Sequence, residues 1–215
     1  MSPSKMVTGV LKNELDPALA GRGYRRSKDI YLAIGVGLTA LIEIQRSRWN
    51  DRSAAQFTFN GGIYVPGTLS RYLQQEEPIR PTVADCCISV RIGMLDQSKL
   101  DRWWTLTATD GDMSVQISEM AVEVREQVCG VLVPFLATFQ TVLDVADFLA
   151  LSINSSTQFI APQAASLRAA YASLIYSKNG NQALALDCYA KAVREAQGMP
   201  NEAFVKRLGS VIECC

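Results

Sequence analysis

Residues 57–64 read Phe57-Thr58-Phe59-Asn60-Gly61-Gly62-Ile63-Tyr64, and their alternation decides the fold. Successive side chains of a strand point to opposite faces. Phe57, Phe59, Gly61 and Ile63 therefore share one face, and Gln56, Thr58, Asn60, Gly62 and Tyr64 share the other. Upstream, Ile42 and Ile44 oppose Glu43, Gln45 and Ser47; downstream, Cys86, Ile88, Val90 and Ile92 oppose Cys87, Ser89 and Arg91. Three strands thus agree on a sheet with one covered, apolar face and one polar face. Antiparallel sheets give this pattern, whereas buried parallel strands read as continuous apolar runs.

Working outward, Val7, Leu11, Leu15 and Leu19 recur every four residues and predict an amphipathic helix that ends at Gly21 and Gly23 and covers the sheet. Short aliphatic runs on either side of Gly35-Val36-Gly37 predict strands over 29–34 and 38–47 joined by a turn. Pro66, Pro78 and Pro81 make 66–82 a long surface loop with a short helical turn. Trp103-Trp104-Thr105-Leu106 predicts a further strand, Asp110-Gly111-Asp112 a turn, and Ser114 a helix cap. The helix from there is expected to stop at Pro134, and another to run from Thr141 to about Ser152. Beyond the polar stretch Asn154 to Gln158, helices are expected over 164–176, 182–197 and 202–213. The small and large residues Leu167, Ala170, Tyr171, Leu174, Ala183 and Tyr189 alternate as in a tetratricopeptide unit. The expected architecture is α+β: an antiparallel sheet packed with helices over residues 1–152, and a C-terminal helical hairpin resembling a tetratricopeptide unit over 153–215.

Composition narrows the chemistry. Lys plus Arg and Asp plus Glu balance at 21 each, which argues against nucleic acid or an anionic membrane as partner; Arg46, Arg48 and Arg52 form the one local basic candidate. The chain contains no histidine, which excludes Ser-His-Asp and Cys-His nucleophilic chemistry and most zinc sites. Its six cysteines include the adjacent pairs Cys86-Cys87 and Cys214-Cys215 rather than CxxC spacings, so a reducing cytoplasm is expected. Alternation places one thiol of Cys86-Cys87 inside and one outside. The apolar window Val131 to Leu151 carries Asp144 and Asp147, which speaks against a membrane span. Gly35-Val36-Gly37 lacks the third glycine of a nucleotide loop, and no cofactor or metal motif stands out.

The candidate site is the polar face: Glu43, Gln45, Ser47, Thr58, Asn60, Tyr64, Ser89 and Arg91, with Trp49 and Trp104 as aromatic neighbours. A mid-strand arginine among amides and hydroxyls has the donors to grip a carboxylate or phosphate in two-point fashion. Adjacent tryptophans on a strand cannot both point inward, so one of Trp103 and Trp104 faces outward.

The Gln-Arg-Ser-Arg-Trp-Asn run at 45–50, the spaced Phe, Thr, Asn, Gly and Tyr from Phe57 to Tyr64, Arg91-Ile92-Gly93, Trp103-Trp104 and the opening Gly23-Tyr24-Arg25 resemble a bacterial family known as domain of unknown function 4304. The resemblance implies a cytoplasmic bacterial protein and no activity. The reading that results is a non-catalytic recognition or accessory module, an immunity protein being one form, with a protein partner and no cofactor. The alternative is a hydrolase or nuclease in which Arg91, Asn60 and Gln45 hold an anionic substrate and Glu43 or Tyr64 acts as acid or base.

Overall fold

The computed structural model describes residues 2–108, 113–154 and 157–213. Strands β1 (Arg25–Ser27), β2 (Ile30–Ile34), β3 (Thr39–Arg46), β4 (Ala54–Tyr64), β5 (Ile88–Arg91) and β6 (Trp104–Thr107) form an antiparallel sheet in the order β1-β2-β3-β4-β5, with β6 also paired to β4. The strands on either side of the Gly35-Val36-Gly37 turn stand where the sequence places them. β1 does not announce itself, because Arg-Arg-Ser is too short and too polar to show alternation. It pairs with β2 in the register Arg25↔Leu32 to Ser27↔Ile30, through a turn in which Lys28 has φ 58°.

The β4–β6 register runs from Ala54↔Thr107 to Phe57↔Trp104. Residues directly opposite one another share a face, so this register puts Trp104 with Phe57 on the apolar side. Their rings stack at 5.8 Å, and Phe59 meets Trp104 edge-on at 5.5 Å.

Residues 3–20 form α1 (Pro3–Val10), a π-helical turn (Leu11–Leu15) and α2 (Asp16–Ala20); after α3 (Leu69–Leu73), the same plan returns as α4 (Met113–Gln127), a π turn (Val128–Leu132) and α5 (Val133–Ala137). The stripes Val7, Leu11, Leu15, Leu19 and Val124, Val128, Leu132, Leu136 both repeat every four residues, and every member is at most 1% exposed. An α-helix turns about 100° per residue, so a four-residue step overshoots by roughly 40°. A wider π turn rotates less per residue and brings the stripe back to one face.

Each π turn is followed at the same distance by a proline, Pro17 and Pro134. Proline cannot donate to the carbonyl four residues before it, and a π turn pairs a carbonyl with the fifth residue instead. This is why the helix expected to end at Pro134 continues to Ala137.

By contacts the chain divides into a unit of Met1–Ile34, Ala40–Gly61 and Val90–Ala137 and a unit of Gly35–Thr39, Gly62–Ser89 and Thr138–Cys215. In the first, Gly61 opens the apolar face of β4 to the second π turn: a Cβ there would lie 2.6 Å from Leu132 Cδ1.

The second unit holds α6 (Val142–Ala150), α7 (Ala165–Lys178), α8 (Gln182–Ala196), α9 (Glu202–Arg207) and α10 (Gly209–Glu213). Thr141 and Asp144 start α6 with a reciprocal capping box. At its other end Arg168 donates to Phe148 O at 2.6 Å and Lys191 to Ala150 O at 2.9 Å; two cations thus satisfy carbonyls that a helix end leaves open. α7 is buried from Arg168 to Ser177. No single helix among the described residues is long and apolar enough to cross a membrane. The Asp110-Gly111-Asp112 turn and Cys214-Cys215 lie outside the described residues, and Ser114 sits inside the first turn of α4.

Candidate functional site

Within the first unit the polar side of β3, β4 and β5 gathers Gln45, Asn60 and Arg91. Asn60 Nδ2 donates to Gln45 Oε1 at 2.9 Å, and Arg91 Nη2 donates to the same oxygen at 2.8 Å. Arg91 Nε reaches Asn60 Oδ1 at 3.3 Å, and Nη1 reaches Asp101 Oδ2 at 2.7 Å. Trp103 Nε1 donates to that same Asp101 oxygen at 3.0 Å, and the Arg91 guanidinium lies 5.5 Å from the Trp103 ring centre. All three nitrogens of the guanidinium are engaged by the protein itself.

Gly93 makes this arrangement possible. Any Cβ at 93 would lie 2.1 Å from Leu100 O and 2.7 Å from Arg102 N, so only glycine lets the 100–102 segment close over the 3-10 turn Ile92–Met94. That approach delivers Asp101 and Trp103 to Arg91. Arg102, on the same segment, pairs with Asp96 at 3.1 Å and Glu123 at 3.4 Å.

The other candidates distribute differently. Glu43 and Ser47 are half-buried on β3 and just beyond its end. Thr58 is completely buried, although alternation assigns it to the polar face. Trp104 is in the aromatic core, 4% exposed, so the tryptophan beside Arg91 is Trp103. Alternation could say that the two differ but not which was which; the β4–β6 register decides it.

Tyr64 belongs to the second unit and is buried. Its hydroxyl donates to Glu77, which also accepts from the Ser70 hydroxyl and from Gly67 N at 2.6 Å. Burial, and after it the bond to Glu77, pushes the Tyr64 hydroxyl well above the ordinary tyrosine range. Burial alone would raise Glu77, but donation from Ser70, Tyr64 and Gly67, together with Lys178, outweighs it and holds the carboxyl below its usual value. Glu77 thus fastens the proline-rich loop. The recess around Tyr64, Ser70, Glu77 and Asp85 has ≈30 Å³, room for water rather than for a substrate. Cys87 is fully buried, against the expectation of an outward thiol; burial pushes it up to about 11, with Val65 and Thr68 as hydrogen-bond partners.

Sequence reasoning also missed a polar chain in the first unit. Asp16 accepts from Tyr31 OH at 2.6 Å and from Arg26 Nη1 at 3.2 Å, while Arg46 grips Asp29 through Nε at 3.2 Å and Nη2 at 3.1 Å. Arg46 is therefore answered by a carboxylate and leaves the basic group read from sequence. The signal lay in residues far apart in the chain, which alternation within one strand does not report.

Arg48, Trp49 and Arg52 form the tip between β3 and β4. Trp49 is 76% exposed, and the Arg48 guanidinium lies over its ring at 4.9 Å. The backbone beneath is held on both sides. Asn50 Oδ1 accepts from Gln56 N at 2.7 Å, and its Nδ2 donates to Gln56 O at 3.0 Å. Asp51 Oδ1 accepts from Ser53 N, Ser53 Oγ and Ala54 N within 2.9 Å, and the Ser53 hydroxyl and both amides hold its carboxyl below the ordinary range. Ser47 Oγ accepts from Trp49 N at 3.2 Å.

A family model described as domain of unknown function DUF4304 matches residues 15–138, more than half of the chain. The chain belongs to that family. The matched span of this DUF4304 member includes the 45–50 run, the Phe57–Tyr64 strand, Arg91-Ile92-Gly93 and Trp103-Trp104. These segments form the tip, the central strand, the close approach at Gly93 and the β4–β6 register. No curated protein and no solved structure was found to match.

Proposed function

We propose that this DUF4304 protein is a recognition module that works by binding a protein partner rather than by catalysis, and that the 47–53 tip is its contact element. One observation carries the reading: a tryptophan 76% exposed on a loop whose side chains bond its own backbone. Folding gains nothing from a solvent-facing indole, while tryptophan and arginine on a pre-organised surface are the groups that dominate protein interfaces. The polar-face cluster supports the same reading, since Gln45, Asn60 and Asp101 each take an N–H of the Arg91 guanidinium and Asp101 answers its charge. The α7–α8 pair, which in sequence resembles a tetratricopeptide unit, has α7 enclosed over 168–177, so of the two helices α8 supplies the exposed face.

The test is affinity capture from a lysate of the cells that make the protein, wild type beside Trp49→Ala. The variant should lose a stoichiometric protein while its unfolding free energy stays within about 0.5 kcal/mol of wild type. Recovery of the same proteins by both forms, or of none by either, would overturn the reading.

A further inference from the structure

Resting on that reading, we infer that the partner surface is acidic: an apolar socket for the Trp49 indole, rimmed by aspartate and glutamate carboxylates. Three cations stand at this end of the sheet without being drawn into its interior. Arg48 lies over the indole, Arg52 follows in the same loop, and both are exposed. Lys28 is exposed in the β1–β2 turn, next to Asp29, whose carbonyl accepts from Ile44 N at 2.8 Å and whose carboxylate holds Arg46. The acids nearby are committed: Asp51 to Ser53 and Ala54, Asp29 to Arg46, and Asp16 to Arg26 and Tyr31. The tip therefore presents an aromatic anchor in a positive rim, although the chain as a whole is neutral.

Three rim cations suit carboxylates on a protein. Nucleic-acid affinity comes from neutralising many phosphates together, and Arg26 and Arg46, which would extend the patch, are each answered by an aspartate. Arg48 also covers one face of the indole, which leaves a nucleobase a single face and no sandwich between two aromatic groups. Charge complementarity of this kind fixes register and speeds encounter, while the aromatic group supplies the affinity.

Trp49 is replaced by the photo-reactive benzoylphenylalanine, the protein is irradiated in lysate of its own cells, and the cross-linked peptide is sequenced. A second chain carrying the same group at Leu184, exposed and on α8, sets the background. The expected result is one dominant protein adduct whose cross-linked segment carries an excess of aspartate and glutamate. Its yield should drop about tenfold, equivalent to about 1.4 kcal/mol, when Arg48→Glu and Arg52→Glu are added to a chain that melts as wild type does. A neutral or basic segment whose yield survives charge reversal would overturn the acidic partner while leaving the tip as contact element. A nucleic-acid adduct would overturn the partner class. No adduct above the Leu184 background would overturn both inferences.

Discussion

Two arginines, one in each unit, are treated in opposite ways. Arg91 is 29% exposed and every nitrogen of its guanidinium has a protein acceptor. Arg168 is 1% exposed, donates only through Nη2 to Phe148 O, and leaves Nε and Nη1 buried without a partner; the ring of Phe148 lies 4.8 Å beneath its guanidinium. Burial holds Arg168 below the ordinary arginine range. The cation that water could have served is fully paired, and the one removed from water is not. Arg91 therefore belongs to a network that specifies geometry at modest energetic stake. Arg168 trades desolvation against the negative end of α6 and its own packing volume.

The largest expected effect breaks the first region at its foundation. Gly93→Ala forces a methyl against the Leu100 carbonyl and the Arg102 amide, backbone groups with no rotamer to escape into. The cost should be about 4 kcal/mol or more by chemical denaturation, and the Trp103 fluorescence environment should change with it. Next comes the second region. Arg168→Ala should cost about 3 kcal/mol through lost volume and an orphaned Phe148 carbonyl. Arg168→Met keeps the volume and removes the buried charge, and should stay within about 1 kcal/mol of wild type. If Met proves as damaging as Ala, the guanidinium is worth more than its desolvation and the contrast collapses.

Smaller still, Arg91→Ala should cost about 1 kcal/mol, because Gln45, Asn60 and Asp101 can turn to water. That loss should shrink in 1 M salt while the Arg168 effect does not. The smallest effect lies at Glu77. Its folded carboxyl titrates below the ordinary value of 4.5, so its contribution is complete above that pH and is lost as pH falls through the lower folded value. Wild type should become about as stable as Glu77→Gln on acidification below that point. A Glu77→Gln deficit that persists unchanged at low pH would show that the carboxylate's charge is irrelevant to the loop.

Much of the first unit was legible because its code is periodic. Alternation in Phe57 to Tyr64 and in Glu43 to Ser47 gave the apolar face and put Gln45 and Asn60 on the other, where Thr58 is nonetheless buried. The four-residue spacing of Val7, Leu11, Leu15 and Leu19 gave the helix, and even held the trace of its π turn. Gln45, Asn60 and Arg91 were chosen from separate strands and do meet. What escaped depended on pairing between distant segments. Trp104 is inward because it faces Phe57 across β4 and β6, and Asp101 joins Arg91 because Gly93 admits a neighbouring backbone. Cys87 and Tyr64 were assigned outward by alternation but are buried, since alternation within a strand says nothing of what the rest of the chain lays over that face. Arg168 was invisible for the converse reason: α7 is enclosed on all sides, so no polar stripe distinguishes the position of its one arginine.

The twin prolines carry a last implication. Each π turn divides what looks like one long helix into two short rods, 8 and 5 residues on one side of the chain and 15 and 5 on the other. Rods of 5 and 8 residues are below the length at which a helix holds itself together in water, and each is joined to the next through an over-wide turn with a missing donor. The N-terminal helix thus has no autonomous existence. It is held in shape by its neighbours, α4 along its middle and β6 and β1 at its two ends, so loosening of those neighbours would unravel the helix at the same moment rather than set it free.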